Sequence, residues 1–315
     1  MKLGAVLPRM RDEYYIIAAL FIIVVFFGAI SRTFISSATL FTMLDQLPPL
    51  LLVTAGMTLV MMLGDIDLSV GSLSALSGSI IGVSMVKLGL PIPVAIALGV
   101  GAVGLVGLLS GWLRSYMGLP SFIVTLGVLE AARGGAFLVS NMQTVYIGPG
   151  IQALALPIRG FGVSPALVIG LITIVVAQFV LTRSVVGRCI VAVGANETAA
   201  RISGISTRPY RLWVLAVSAL LAGVAGLFNT SYLASADPNA GVGLELSAIA
   251  AAAIGGTSLS GGRGSILGAF IGVLIIAVLQ SGLAQIGASE PVKRLFTGAV
   301  IVLAVVFDRW RVAAR

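Results

Sequence analysis

The sequence predicts an all-α integral membrane protein of about ten transmembrane helices, some of them broken. Three observations carry this. Of 315 residues, 58% are hydrophobic and 10% charged, whereas an ordinary soluble domain is roughly 25% charged. So few charges cannot cover a water-facing exterior, and the mean hydropathy of +1.12 agrees. The apolar residues fall into runs near the roughly 20 residues a helix needs to cross the hydrocarbon core. The 39 glycines fit helices that pack closely in lipid through small residues. No polar stretch is long enough for a separate soluble domain, so residues 1–315 read as one transmembrane domain.

The runs are 14–31, 47–63, 68–86, 92–113, 119–140, 164–182, 212–233, 245–256, 265–286 and 292–308. The first is long and has no small-residue cleavage site, so it reads as a retained span. The second ends in MLGDIDLSVGS, where Asp65 and Asp67 interrupt an otherwise apolar chain. Gly64 and Gly71 bracket a chain break there. Asp67 or Ser69 can accept hydrogen bonds from the open N–H groups of the third helix. The same polar break can line a pathway, because ionisable residues in membrane segments are costly and often functional. In the fifth run Glu130 and Arg133 share a helix face at i, i+3. Mutual neutralisation is the simpler reading, and exposure to a water-filled pathway is the alternative. The eighth run is short and passes into Gly-rich sequence, so it reads as a broken or partial span.

Between the fifth and sixth runs lies a long loop, 141–163. After the sixth comes 183–211, RSVVGRCIVAVGANETAARISGISTRPYR. Topology alone would explain its five arginines, but it also holds NETAARISG, a short helix-compatible run that Asn196 can cap. Such a helix at the inner face suits docking of a cytosolic partner. It offers Ala199, Ala200 and Ile202 as apolar contacts, with Glu197 and Arg201 as an i, i+4 pair.

LSGGR at 259–263 resembles the signature of ATP-binding cassettes, but the phosphate loop such a cassette needs is absent. The stretch reads as a flexible connection, and any energy source must come from elsewhere. DLSVGSLSAL (67–76) is echoed by DPNAGVGLELSAI (237–249), predicted on opposite sides of the membrane, as an inverted repeat would place them.

Lys and Arg set orientation. With the N-terminus inside, Lys2, Arg9, Arg11, Arg114, Arg183, Arg188, Arg201, Arg208, Arg211, Arg263, Arg309, Arg311 and Arg315 are cytosolic. Arg32, Lys87, Arg159, Lys293 and Arg294 are outside, and Arg133 is in a span. That bias places both termini in the cytosol. The net charge of +8 therefore reads as topology and not as nucleic-acid binding. With no His and a single Cys189, His-based metal sites, Ser-His or Cys-His catalysis and an internal disulfide are excluded. No cofactor or metal is expected.

Several stretches together carry a resemblance: GDIDLSVGS, TLGVLEAARG, VGRCIVAVGANETAARISGI, ADPNAGVGLELSAIAAAAIGGTSLSGGRGSILG and LQSGLAQIGAS. They resemble, in order from about residue 50 to 306, the permease subunit of ribose/xylose/galactose-type ABC importers. Two departures stand out. Asp65 occupies the second Gly of the family's GGIDLSVGS, and Ser247 stands where the family often has a carboxylate beside Glu245. The resemblance implies two permease subunits, identical or not, that form a pathway in the bacterial inner membrane. It implies a cytosolic ATPase and a periplasmic or lipid-anchored sugar-binding protein as partners. It also implies that Gly194–Gly204 is the ATPase-coupling segment and that Asp67 lies in a helix break beside the pathway. Branched-chain amino acid or nucleoside ABC permeases remain as alternatives, as does an ion-coupled secondary transporter using Asp65, Asp67 and Glu130.

Overall fold

The computed structural model describes residues 7–158 and 162–313, with the side chains of 7–13, 301, 304–305 and 307–313 left undescribed. Among the described residues the chain forms twelve α-helices: α1 (Leu7–Ile30), α2 (Ser37–Met62), α3 (Val70–Val86), α4 (Ile92–Tyr116), α5 (Ser121–Ser140), α6 (Pro165–Arg183), α7 (Val185–Ala195), α8 (Glu197–Ile202), α9 (Thr207–Leu233), α10 (Leu244–Ile254), α11 (Ile266–Gln285) and α12 (Glu290–Ala313). Each of the ten predicted runs falls on a helix. Six of these helices are long and apolar enough to cross a bilayer, and α1, α3 and α10 contribute shorter apolar stretches. The topological arginines and lysines at 2, 159 and 315, and the side chains at 9, 11, 309 and 311, lie outside the described residues.

Helix α9 is the hub and packs most heavily on α4, α2 and α3. Small residues allow this. A Cβ on Gly107 would run into that of Ala219, and one on Gly111 would sit 2.9 Å from the Leu212 Cα. Helix backbones approach so closely only where one side carries no side chain. Helix α2 is buried almost without a gap from Leu47 onward, which is why its apolar residues show no single-faced periodicity.

The departures from the sequence reading that bear on the site lie in α2, α9 and the Arg-rich loop. Helix α2 starts at Ser37, ten residues early, and runs straight through Pro48 and Pro49. Membrane helices tolerate proline because neighbouring groups satisfy the freed carbonyls. Asp45 and Gln46 therefore lie within the helix. Helix α9 starts at Thr207 and takes in Arg208 and Arg211. The Arg-rich loop is mostly helical. Ser184 caps α7 by accepting from the Gly187 N–H, and Asn196 caps α8 by accepting from the Ala199 N–H at 2.9 Å.

The loop at 141–163 is partly regular. Val145–Tyr146 (β1) pairs antiparallel with Ser235–Ala236 (β2) just beyond the end of α9, and Pro149–Leu154 forms a 3-10 turn against α9.

Candidate functional site

The break between α2 and α3 is built inside the bundle. Gly64 turns the chain with φ +74°. Its exposed backbone groups are met by α5: Ile66 N–H donates to Ser121 Oγ and Leu68 N–H to Thr125 Oγ1, both at 3.1 Å. Irregular backbone at membrane depth survives only when protein satisfies it in this way. The Asp67 carboxylate is fully buried and accepts from Ser69 N–H (3.0 Å), Ser69 Oγ (2.6 Å) and Ser218 Oγ (2.9 Å). Asp67 thus closes a turn on the Ser69 N–H just ahead of α3, and the expected capping of that helix's own first N–H groups by Asp67 or Ser69 does not occur. The Ser69 hydroxyl donates to Asp67 and accepts nothing from the helix. Ser218 lies eleven residues into α9, about 16 Å along its axis, so Asp67 sits well inside the helix bundle.

Asp65 is a different kind of residue. It neutralises two arginines. Arg114, in the last turn of α4, donates from Nε to Asp65 Oδ1 at 2.8 Å, and Arg211 Nη1 pairs with Oδ2. Arg211 Nη2 also reaches Glu197 Oε2 at 2.8 Å. Glu197 further accepts from Thr207 Oγ1 at 3.1 Å. The expected Glu197–Arg201 pair does not form. Glu197 begins α8 and Arg211 faces it across the turn into α9, so the buried guanidinium takes the carboxylate. Partial burial pushes the Glu197 carboxyl upward. Arg211, the Thr207 hydroxyl and Arg201 outweigh this and hold it below the usual carboxylate range.

The predicted coupling residues divide into two groups. Ala200 is buried against the chain's own core, while Ala199, Arg201 and Ile202 face outward, Ile202 at 83% exposure. Of the three expected apolar contacts, Ala199 and Ile202 are therefore available on the surface and Ala200 is not. Gly194 is also internal: a Cβ there would be driven into the Met62 carbonyl at the end of α2. Gly262 N–H donates to that carbonyl at 2.9 Å. The GDIDLS break, the end of α7 and the LSGGRG turn thus meet backbone to backbone. Gly204, with φ +83°, turns the chain out of α8.

Residues 237–243 re-enter the bundle. Arg133 Nη1 donates to the carbonyls of Pro238 (2.6 Å) and Ala240 (2.9 Å). This replaces the expected neutralisation by Glu130, which lies exposed on α5. The descent carries Gly241 and Glu245 to the first turn of α3, where a Cβ on Gly71 would collide with the Gly241 carbonyl and the Glu245 carboxylate. The two echoed stretches were expected at opposite membrane faces; they meet in the interior. Helix α10 starts there and spans only 11 residues. Glu245 Oε1 accepts from Gly243 N–H at 3.2 Å, and Ser247 turns its hydroxyl back onto the Gly243 carbonyl.

Beside this junction lies a cleft of about 970 Å³ between α2, α9, α10, α11 and the start of α12. Gln46, Ser74, Asn229, Tyr232, Ser247 and Gln280 give its wall uncharged polar groups, and Asp45, Glu290, Lys293 and Arg294 add two carboxylates and two cations along α2 and α12. Gln46 Nε2 donates to the Tyr232 hydroxyl at 3.1 Å. None of Asp65, Asp67, Ser69, Glu130, Arg133 or Glu245 lines this cleft. Asp67 and Glu245 instead brace the elements around it. Most of the sequence signal for the cleft was uncharged polar residues inside apolar runs, a weaker mark than a charge.

A family model described as branched-chain amino acid transport system / permease component matches residues 39–305. The chain belongs to this permease family. The ribose import permease of Escherichia coli K12 is 36% identical over 299 residues, covering 92% of this chain and 91% of that one. The D-allose transport system permease of the same strain is 34% identical, covering 95% and 92%. The fructose import permease of Rhizobium meliloti is 33% identical, covering 90% and 81%. Membership and the apolar helices make the chain a multi-pass inner-membrane transport subunit of the sugar ABC permease type, as the motif resemblance implied.

Proposed function

We propose that this chain, paired with a second permease subunit, forms the pathway of an ATP-driven importer for a monosaccharide. A binding protein delivers the sugar outside, and a cytosolic ATPase docks on the outward face of α7 and α8. The chain is the translocation component and carries no catalysis of its own. The observation that supports this best is the cleft. Its amide and hydroxyl groups suit a neutral polyhydroxylated solute, because each sugar hydroxyl both donates and accepts, and the charges on its wall, Asp45 and Glu290 against Lys293 and Arg294, sum to zero. The relatives are named for ribose, allose and fructose, in keeping with that chemistry. Exposed Ala199, Arg201 and Ile202 with nearby Arg188 and Arg208 support the docking face. The arginine bias supports cytosolic termini.

The test is reconstitution of the permease with its co-encoded ATPase and binding protein in liposomes, with uptake of D-ribose, D-allose and D-fructose measured with and without ATP. ATP-dependent uptake of at least one is expected. Uptake that persists without ATP but collapses with an ion gradient would overturn the proposal in favour of secondary transport.

A further inference from the structure

The buried charges form a connected line. Glu197 begins α8, the segment read as ATPase-facing, and its side chain is 37% exposed. Arg211 on α9 is 7% exposed and bridges inward, with one guanidinium nitrogen on Glu197 and another on Asp65. Asp65 is 4% exposed, sits in the α2–α3 break, and is held from its far side by Arg114 of α4. Two residues further on, Asp67 is bonded to Ser218, seven residues above Arg211 on α9. One side chain thus ties a surface turn to the irregular segment inside the bundle. Backbone contacts run beside it, since the Met62 carbonyl accepts from Gly262 and abuts Gly194.

We propose that Glu197, Arg211 and Asp65 act as a strut that passes displacement of α8 to the α2–α3 break, with Arg211 as the positioning residue. This rests on the reading of α8 as the ATPase contact. A planar guanidinium can hold two carboxylates at once with fixed geometry, and an ammonium cannot. Lysine at 211 keeps the charge that neutralises Asp65 but loses the rigid bridge. The break is suited to receive a push. It is irregular and held to its neighbours by side-chain hydrogen bonds rather than by a continuous helical ladder. Moving Asp67 would shift Ser218 and the start of α3, where Gly71 abuts Gly241 beside the cleft.

The experiment uses the assembled permease–ATPase complex on a Cys189→Ser background with two reporters. Ile66→Cys, half-buried in the break, and Ile202→Cys, exposed on α8, are alkylated with a maleimide, with and without a non-hydrolysable ATP analogue. Without Arg211 substitution, the analogue should change the alkylation rate at both positions by at least about threefold. Arg211→Lys should keep the change at Ile202→Cys and abolish that at Ile66→Cys. Glu197→Gln, whose partly exposed site makes misfolding no concern, should do the same in milder form. Arg211→Lys combined with Glu197→Gln should be no worse than Arg211→Lys alone, since both cut one strut. An Ile66→Cys response that survives both single substitutions, or effects that multiply in the double variant, would overturn the strut. Failure of the ATPase to protect Ile202→Cys at all would instead sink the docking reading under it.

Discussion

A guanidinium buried between two carboxylates differs from a surface pair, because removing one partner leaves a charge that water cannot reach. From the sequence, Asp65 read as a departure from a family pattern whose glycine could be restored. Its partners, Arg114 and Arg211, reverse that expectation. Asp65→Gly or Asp65→Asn should destabilise the solubilised permease by about 3–5 kcal/mol, the usual effect of breaking a buried pair, read as a lower melting temperature. A melting temperature equal to that of the unsubstituted protein would mean that the arginines find other partners. Asp67 calls for the opposite treatment, since it meets three hydroxyl or amide donors and no cation. Asp67→Asn retains an acceptor for the Ser69 N–H, and the hydroxyls can rotate to suit. Asp67→Leu orphans buried donors at about 1–3 kcal/mol each. The Asn variant should therefore express and melt near normal while the Leu variant fails. Equal loss of folded protein in both would show that the charge itself is required.

At the scale of elements, each apolar run could be found in the sequence because span length is set by the bilayer. What could not be found was which polar residues face one another. Glu130 and Arg133 share a helix face, yet the arginine turns to the Pro238 and Ala240 carbonyls, a partner more than a hundred residues away. Glu197 likewise passes over Arg201 for Arg211. Local spacing lists who can meet and tertiary packing decides who does. The same limit governs α8. Its cap was readable from Asn196, but its orientation was not, and Ala200 faces inward. Ala200→Trp should thus unseat α8 from its own chain, lowering the melting temperature, since overpacking a tight site costs about 1–3 kcal/mol. Ile202→Asp should leave the melting temperature unchanged and reduce co-purification of the ATPase severalfold. If Ala200→Trp melts normally while Ile202→Asp retains the ATPase, the inward and outward faces of α8 have been exchanged.

Across the whole molecule, α9 is the ruler. Its 27 residues span about 40 Å, more than the roughly 30 Å hydrocarbon core. Thr207 at one end bonds Glu197 of α8, and beyond the other end β2 pairs with β1 of the 141–163 segment. Residues 150 and 202 are therefore expected on opposite sides of the membrane, whichever way the bundle is inserted. The charges choose the direction. Arg183, Arg188, Arg201, Arg208 and Arg211 cluster at the α8 end, and positive segments stay in the cytosol. On a Cys189→Ser background, Gly150→Cys should react with a membrane-impermeant maleimide in intact cells. A Cβ at Gly150 meets nothing within 4 Å, so the substitution fits. Ile202→Cys should react only in inside-out vesicles. The reverse pattern would invert the protein and put α8 out of reach of any cytosolic ATPase. Labelling of both positions from one side would contradict the path of α9 itself.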